Sequence, residues 1–377
     1  MSGAPVLDGV VREAIRQRES PAARAPYRLD PLTPAEIATW DELIGNCQGR
    51  EVFHCNAWLD YLAASRGVEI LRWAIRDGDD TVGYFCGGLV RLGPFRILGS
   101  PLRSWSTNFM GPVAQESLDQ TRFLAALDLL AREKNLAVIE LEHLALSEHV
   151  LQSAGYERLQ NWTYLVPLFP GDPGRMWRAL DSTCRNRIRK AETANLSIED
   201  TDDPGIVDEF YEFFLDLMRR KGMRPPFRRE TLHLLFAHLR HDARVLALRV
   251  RDASGRVLAV GIFPHDDNTI YFWSGASHRD AHSLCPNDLL HWTAMRMAAE
   301  RGLTRYNMSG YGRFKRKFGG ALTELGRWHK CYWRTARLGR RVYQLWFETR
   351  LHFTLAKVGP WLRRAVSHTS ERAADSR

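Results

Sequence analysis

The sequence predicts an α/β protein with a mixed sheet, built from two similar halves with flanking helices. Two observations carry this prediction. Hairpins of long apolar strands occur twice, as "EILRWAIR" with "TVGYFCGGLVRLG" and as "RVLALRV" with "RVLAVGIFP". Each hairpin is followed by a helix and a returning strand, and "AREKNLAVIE" at 131–140 aligns with "AAERGLTRYN" at 298–307. The repeated order indicates an internal duplication at the level of architecture.

In the first half, residues 1–26 are polar and predict a flexible leader. The first helix begins at "TPAEIATWDELI", where Thr33 supplies a cap and Glu36 stands at the capping-box spacing. A second helix begins at Asn56, and residues 116–134 have helical apolar spacing before the buried strand "LAVIELEH".

The middle of the chain, residues 171–240, is predicted to be mostly helical. In the second half, "NTIYFWSGAS" reads as one strand, "PNDLLHWTAMRMAAERG" as a helix and "LTRYNMSG" as a further strand. A basic, aromatic-rich segment follows from about residue 337.

Length and charge restrict the class of protein. A chain of 377 residues predicts two domains or one large duplicated unit. Its 53 Lys and Arg against 44 Asp and Glu give a net charge of +9, which favours phosphorylated donors, tRNA or an anionic membrane as partners. A solvated basic surface without a partner is the alternative. The basic residues are not gathered on one recognition helix, so DNA binding is not expected.

The cysteines and the hydropathy favour the cytoplasm. Six scattered cysteines without a CxxC pair argue against a zinc site or a disulfide framework, so no metal is expected. Charged residues near the start replace the apolar run of a signal peptide, and no window holds eighteen apolar residues. We expect a cytoplasmic protein, with contact at the inner membrane surface as an open alternative.

Several short strings in this order resemble a known family. They are "FHCNAWLDYL", "RNRIRKAETANL", "WSGAS" followed by "HRDAHSLCP" and "NDLLHWTAMRMAAERG", and "GRFKRKFGG". Together they resemble the FemAB-like branch of the GNAT acyltransferase superfamily, which includes the CelD-type proteins. The resemblance spans about residues 30–335. It implies two tandem GNAT-like lobes of the acyl-CoA N-acyltransferase fold, with the working cleft in or between them. The implied division is a leader at 1–26, an N-terminal lobe at 27–170, a helical connecting segment at 171–240, a C-terminal lobe at 241–335 and a basic amphipathic C-terminal helix and tail at 336–377.

The resemblance also implies an activity. Members of this branch transfer an acyl or aminoacyl group from a thioester or an aminoacyl-tRNA to an amine. The expected function is therefore acyl transfer onto a cell-envelope or exopolysaccharide precursor, a small-molecule or lipid-linked sugar. The donor is an acyl-CoA, an acyl carrier protein or an aminoacyl-tRNA, and no tightly bound cofactor is expected. The alternative is a non-catalytic precursor-binding or scaffold protein in a polysaccharide biosynthesis complex.

One departure from ordinary GNAT enzymes bears on the donor. The glycine-containing turn that binds coenzyme A pyrophosphate is absent from 277–287, where the loop carries His278, Arg279 and His282 instead. This absence makes acetyl-CoA a less favoured donor.

Three residues are candidates for the chemistry of transfer, which needs a base for the amine and stabilisation of an oxyanion. His278 or Asp288 could act as the base through a water molecule, although an acidic residue in a first helical turn is commonly only a cap. Tyr311 could protonate a leaving group or serve as a structural hydroxyl. Arg279 and Asn287 flank the start of the helix, whose unpaired N–H groups suit a phosphate.

The remaining candidates bind the donor or the acceptor. Arg185 and Arg189 share one helical face and suit a diphosphate or a carboxylate, or else they form a solvated basic helix. Trp105 and Asn108 in "SWSTNFMGP" suit a sugar, although a core tryptophan is the commoner outcome. The basic stretch 307–320 is predicted to form a strand end, a Gly-Tyr-Gly turn and a short helix, and it supplies two further candidates. They are Lys315 and Lys317, which are expected nearer solvent while Phe314 and Phe318 pack inward.

The C-terminal segment leaves two interpretations open. Its arginines and aromatics predict either an interfacial helix at anionic lipid or a helix packed on the second lobe with its basic face in water.

Overall fold

The structure is a computed structural model, and it describes residues 25–348, with side chains described as far as residue 342. The predicted leader and most of the C-terminal tail lie outside the described residues. The strands of the described range are β1 (Arg28–Pro31), β2 (Glu69–Asp77), β3 (Asp80–Leu92), β4 (Phe95–Ser100), β5 (Gly111–Val113), β6 (Val138–Glu142), β7 (Glu157–Pro167), β8 (Ser197–Asp200), β9 (Val245–Arg251), β10 (Val257–Pro264), β11 (Thr269–Tyr271), β12 (Ser274–Ser277), β13 (Arg305–Asn307) and β14 (Ala321–Cys331). The α-helices are α1 (Pro34–Ala38), α2 (Trp40–Leu43), α3 (Asn56–Arg66), α4 (Gln120–Glu133), α5 (Glu148–Ser153), α6 (Pro173–Ala179), α7 (Ser182–Thr193), α8 (Gly205–Lys221), α9 (Arg229–His241), α10 (Pro286–Glu300), α11 (Arg313–Arg316) and α12 (Arg334–Glu348).

One large sheet runs through both halves of the chain. Its strand order is β1-β2-β3-β4-β6-β14-β7-β13-β11, with β5 paired to β3. A smaller sheet of order β12-β10-β9-β8 belongs to the second half. The predicted mixed α/β class is therefore confirmed.

The duplication is visible in the strand pairing. In the first half β4 pairs in parallel with β6, the strand that follows α4. In the second half β11 pairs in parallel with β13, the strand that follows α10. Val138 begins the first parallel pair and Arg305 begins the second, which are equivalent positions in the alignment of 131–140 with 298–307. Each half thus repeats a meander, a helix and a returning parallel strand.

The two halves exchange their last strands. β7, from the first half, pairs antiparallel with β13 of the second, and β14, from the second half, pairs antiparallel with β6 of the first. β7 and β14 also pair with each other over nine positions. Because each half completes the other's part of the sheet, the halves are joined by backbone hydrogen bonds rather than by side-chain contacts alone.

Local signals that the sequence carries are present in the structure. The Thr33 hydroxyl accepts from the Glu36 amide at 3.3 Å, and the Glu36 carboxylate accepts from the Thr33 amide at 2.8 Å, which completes the predicted capping box. The helix from Asn56 is confirmed as α3. Within the described range, the six cysteines are buried and form no disulfide.

Two predictions in the second half were incomplete. The stretch "NTIYFWSGAS" is not one strand: β11 belongs to the large sheet and β12 to the small one, because the chain changes pairing partners at Phe272 and Trp273. The helical segment 171–240 also contains the short strand β8, which pairs with β9. The boundaries of the predicted domains stay a prediction.

The C-terminal helix α12 packs where β14 of the second half lies beside β6 of the first. Ala336 is buried in a small apolar cluster with Ala137, Val138 and Cys331. Arg340 on the same side donates to the Glu140 carboxylate at 2.5 Å. The described part of α12 is thus packed on the folded chain, and because β14 inserts beside β6 the helix contacts the first half as well as the second. No helix within residues 25–348 is long and apolar enough to cross a membrane.

A buried carboxylate links the two halves away from the sheet. Glu51, which is 5% exposed, accepts from the Tyr271 hydroxyl at 2.5 Å and pairs with the Arg305 guanidinium. Burial, reinforced by the nearby Asp266 carboxylate, raises the pKa of Glu51 to about 7. Glu51 is therefore more readily protonated in the folded protein than in the unfolded chain.

This shift predicts a pH dependence of stability. Because the pKa of Glu51 rises on folding, its favourable contribution is complete below about pH 4.5 and is lost as the pH rises through about 7. We expect Glu51→Gln to lack this pH dependence of stability. Between about pH 5 and pH 8, the free energy of unfolding of the wild type should therefore fall by on the order of 1–3 kcal/mol relative to that of the variant. Urea unfolding across this range measures it. Parallel curves for the two proteins would contradict the assignment.

Candidate active site

The candidate site is a gap between two parallel strands of the second half. Tyr271 pairs with Asn307, and the Phe272 amide still donates to the Asn307 carbonyl at 2.8 Å. Beyond this point the strands separate: Trp273 donates to Ile262 of β10, while Met308 donates to Tyr164 of β7. We call the gap between Phe272 and residues 308–309 the wedge. Diverging parallel strands leave backbone groups available to a ligand.

Lys315 occupies the wedge. It projects from α11, and its Nζ donates to the Met308 carbonyl at 2.5 Å and to the Ser309 carbonyl at 3.0 Å. The ammonium also lies 5.3 Å from the centre of the Phe272 ring. Burial lowers the pKa of Lys315 to about 8. The wedge therefore contains a cation that can donate a hydrogen bond to a developing oxyanion and exchange a proton near neutral pH.

An aromatic pocket lines the inner side of the wedge. His291 on α10 is buried, and its Nδ1 lies 2.5 Å from the Tyr306 hydroxyl. Its ring centre is 4.4 Å from Phe272 and 4.9 Å from Phe318. Burial, reinforced by Lys315 and Lys317, lowers the pKa of His291 well below its ordinary range. The ring is therefore neutral and forms part of an apolar wall.

The predicted residues Asp288 and Lys317 are brought together in a buried ion pair at the start of α10. Asp288 is 2% exposed and Lys317 is 8% exposed. Lys317 also lies 4.2 Å from the Phe314 ring centre. The expectation that Lys315 and Lys317 lie nearer solvent was wrong, because Lys317 is buried and Lys315 is half-buried. The Asp288 carboxylate holds the Lys317 ammonium inward, and two backbone carbonyls hold the Lys315 ammonium. Phe318 is buried as expected, whereas Phe314 is 37% exposed.

The other two predicted catalytic residues have different surroundings. His278 ends the β12 region, and its Nδ1 lies 2.9 Å from the Arg256 guanidinium, with the Phe213 ring packed at its edge. Tyr311 is 69% exposed at the tip of the turn that follows Ser309. Their catalytic roles stay predictions.

The predicted donor-binding residues are divided between two places. Arg185 donates to the carbonyls of Leu180 and Arg178, where it closes the end of α6. Arg189 packs over the Trp177 ring at 5.4 Å. Asn287, on α10, donates to the Ser277 hydroxyl at 2.9 Å. Arg279 is exposed in the 3₁₀ turn that precedes α10.

A cavity in the first half is the counterpart of the wedge. Its volume is about 160 Å³, and it is lined by β7, β14 and the segment that follows β4. The lining residues are Arg103, Ser106, Thr107, Asn108, Leu159, Gln160, Asn161 and Arg327. We call it the N-terminal cavity. Asn108, a predicted acceptor contact, is in this lining, whereas the other predicted contact, Trp105, is buried in the core.

A buried charge pair lies at the base of the N-terminal cavity. Glu142 is fully buried and pairs with Arg327, whose guanidinium also donates to the Thr107 carbonyl at 3.2 Å. Burial raises the pKa of Glu142 in spite of the Arg327 charge. Arg327 Nη1 is buried without a hydrogen-bond partner within the described residues. Among the described residues, the guanidinium of Arg327, a lining residue of the cavity, thus keeps one nitrogen without a hydrogen-bond partner.

The wedge and the N-terminal cavity adjoin. Asn108, which lines the cavity, donates to the Ser309 hydroxyl at 3.4 Å, and Ser309 also accepts from Lys315 in the wedge. Trp273 of the second half donates to the Ser106 carbonyl at 2.9 Å. A ligand in each space would thus approach the same short segment around Ser309.

Comparison with known families assigns this region. Residues 178–317 match the model of an acetyltransferase (GNAT) domain. Over this range the chain is similar to the acetyltransferase (GNAT) family. The matched range runs from the end of α6 to Lys317, so it contains the wedge, Lys315 and the Asp288–Lys317 pair. The GNAT domain confirms the prediction of a GNAT-type acyltransferase.

Solved structures share the fold over most of the chain. The structure of FemX is 14% identical with a TM-score of 0.64, over 82% of this chain and 98% of that one. A tandem GNAT protein from the clavulanic acid biosynthesis pathway is 12% identical with a TM-score of 0.51, over 81% and 98%. The C-terminal domain of a putative lysylphosphatidylglycerol synthetase from Agrobacterium fabrum is 13% identical with a TM-score of 0.53, over 83% and 96%. No curated protein matches the sequence. The tandem GNAT-like fold and the resemblance to the FemAB-like branch are confirmed.

Three residues in or beside the wedge and the N-terminal cavity were not predicted from the sequence, namely His291, Glu142 and Arg327. His291 lies between the apolar residues Leu290 and Trp292 of α10, and Glu142 lies in the buried strand "LAVIELEH". A charged or polar residue within an apolar run was the available signal for a functional or paired residue, because an isolated buried charge needs a partner. Nothing local identified Arg327 as that partner, since 185 positions separate it from Glu142 along the chain.

Proposed function

We propose that the protein transfers an acyl or aminoacyl group from a thioester or aminoacyl-tRNA donor to an amine of a cell-envelope or exopolysaccharide precursor. The observation that carries the proposal is Lys315 in the wedge of the GNAT domain, held by two carbonyls and partly desolvated. In this proposal the reacting carbonyl lies beside the Lys315 ammonium. The ammonium stabilises the oxyanion that forms when the amine nitrogen bonds to the carbonyl carbon. The electron pair then returns as the bond to the thiol sulfur or ribose oxygen breaks, and the proton lost by the amine goes to that leaving group.

The donor is proposed to be held by contacts other than a pyrophosphate cradle. At the start of α10, the place where backbone N–H groups would suit a phosphate, the buried Asp288 carboxylate is paired with Lys317. A carboxylate there already interacts with the start of the helix and disfavours a second anion at the same place. This supports an aminoacyl-tRNA or a carrier-protein donor, for which the net charge of +9 offers long-range attraction.

The acceptor is proposed to enter from the N-terminal cavity. Its lining combines the amides Asn108, Gln160 and Asn161 with Arg103 and Arg327. Amides and guanidinium groups suit the hydroxyls of a sugar and an attached phosphate or carboxylate. Because the cavity adjoins the wedge at Ser309, an acceptor amine would reach the donor carbonyl from this side.

A donor panel tests the proposal. The full chain is incubated separately with acetyl-CoA, an acylated carrier protein and an aminoacyl-tRNA, each with an amine-bearing sugar nucleotide. Mass spectrometry of the sugar nucleotide measures transfer. We expect transfer from one donor, and transfer from the same donor about 10²–10³-fold slower with Lys315→Met. Binding of the sugar nucleotide without transfer from any donor would favour the non-catalytic alternative.

The acceptor site makes a separate prediction. Arg103 is exposed and lines the N-terminal cavity, so Arg103→Ala should leave the fold intact. We expect the KM for the acceptor to rise about tenfold with little change in kcat, because a charge-assisted contact made equally in ground and transition states contributes about 1–2 kcal/mol. The matched control is Arg91→Ala, an exposed arginine on β3. An unchanged acceptor KM in Arg103→Ala would remove the cavity from the proposal.

A further inference from the structure

The outward side of α12 carries an unusual combination of exposed apolar and basic side chains. Leu338 is 65% exposed and Val342 is 58% exposed, and the two are four residues apart on one side of the helix. Arg334 and Arg341 are exposed, and helical spacing places them beside this pair. We call these four residues the basic apolar face.

The orientation of the helix is fixed by its opposite side. Ala336 is 7% exposed against Ala137 and Val138, and Arg340 is bound to Glu140 at 2.5 Å. Arg337 donates to the Cys331 carbonyl at 3.3 Å. Rotating α12 to bury Leu338 would break these contacts, so the basic apolar face is held toward the exterior.

A neighbouring turn extends the face. Leu92, at the β3–β4 turn, is 66% exposed, and Arg91 beside it is exposed as well. Leu92 pairs with Phe95, whose ring lies 5.8 Å from that of Trp333, the residue just before α12. Two separate elements thus present leucine and arginine on the same border of the sheet.

We propose that this border is a docking surface for an anionic lipid bilayer. A narrow apolar stripe flanked by arginines is the pattern by which a helix lies in the headgroup region, with its apolar side chains below the phosphates. A stable protein interface buries about 800 Å² on each partner. The basic apolar face is a stripe of two apolar side chains, so charge complementarity to lipid phosphates fits it better. The proposal is independent of the donor and acceptor assigned above, because it concerns binding without either substrate.

Vesicle flotation of the full chain tests the proposal. The vesicles are phosphatidylcholine alone or phosphatidylcholine mixed with phosphatidylglycerol. We expect the wild type to float with the phosphatidylglycerol vesicles and to lose binding as salt is raised. Leu338→Glu with Val342→Glu should weaken binding at least about tenfold, since it removes the apolar contact and adds like charge. Arg334→Gln with Arg341→Gln should weaken it on anionic vesicles.

A matched control distinguishes binding through the basic apolar face from nonspecific adsorption through any exposed leucine. Leu129 on α4 is 52% exposed, so Leu129→Glu makes the same chemical change elsewhere and should bind vesicles as the wild type does. Thermal unfolding checks that each variant is folded. Equal flotation of the wild type and the Leu338→Glu, Val342→Glu variant would overturn the proposal. The proposal would also be overturned if the wild type formed a dimer in solution and did not bind vesicles, and the Leu338→Glu, Val342→Glu variant were a monomer.

Discussion

Replacing Lys315 with Met should abolish most transfer while leaving the protein folded. The methionine keeps the length of the side chain but removes the ammonium that Met308 and Ser309 hold in the wedge. Loss of one donor to an oxyanion costs about 10²–10³ in kcat. The assay is the donor panel above, with circular dichroism and thermal unfolding of each protein. Arg316→Ala is the matched control, because Arg316 is exposed in the same short helix.

The pH profile distinguishes this role from a structural one. Burial lowers the pKa of Lys315 to about 8, so the ammonium is present below that pH and is lost above it. If transfer needs the ammonium, kcat should fall about tenfold per pH unit above pH 8, and the falling limb should be absent from the residual activity of Lys315→Met. A rate in Lys315→Met within about twofold of the wild type would remove Lys315 from the mechanism.

The sequence was informative about elements whose signals are local. Thr33 and Glu36 predicted a helix start because capping depends on residues three apart. The hairpins β2–β3 and β9–β10 were predictable because alternation and turn residues lie within one short segment. The order of the elements predicted the duplication. Residue identity between the two halves would not have revealed it.

The exchange of β7 and β14 was not predictable, because strand pairing across more than a hundred positions has no local signature. The contact of α12 with β6 of the first half was not predictable for the same reason. The break between Tyr271 and Ser274 depends on competition for backbone partners between β10 and β13, which a single apolar run does not encode. That break creates the wedge. The sequence thus located the candidate site more accurately than it described the site's shape.

The position of Lys317 illustrates the same limit. Helical spacing in "GRFKRKFGG" predicted an outward lysine, since it considered only the short helix. The Asp288 carboxylate, 29 positions away, reverses this outcome. A buried charge is stable only beside its partner, so the direction of Lys317 is decided by a residue on another element.

Removing one member of the Asp288–Lys317 pair should destabilise the protein strongly. Lys317→Met leaves the Asp288 carboxylate buried beside the Cys184 thiol and the exposed Arg187 guanidinium, each 4.0 Å away. Breaking a buried ion pair by removing one partner costs about 3–5 kcal/mol. We expect a loss of that order in the free energy of unfolding, measured by urea titration. Lys317→Met with Asp288→Asn should recover much of it, because no unpaired buried charge remains.

The double-mutant cycle also tests the predicted role of Asp288 as a base. If Asp288 only partners Lys317, the double variant should regain transfer activity along with stability, since Lys315 and the wedge are unchanged. If Asp288 takes the proton of the acceptor amine, the double variant should regain stability while kcat stays reduced by about 10²-fold or more. The reference is Lys330→Met, which breaks the part-buried pair with Asp128 on α4 of the first half and should lower stability without lowering kcat. Additive effects of Asp288→Asn and Lys317→Met would contradict the pairing itself, because partners in one buried ion pair must couple energetically.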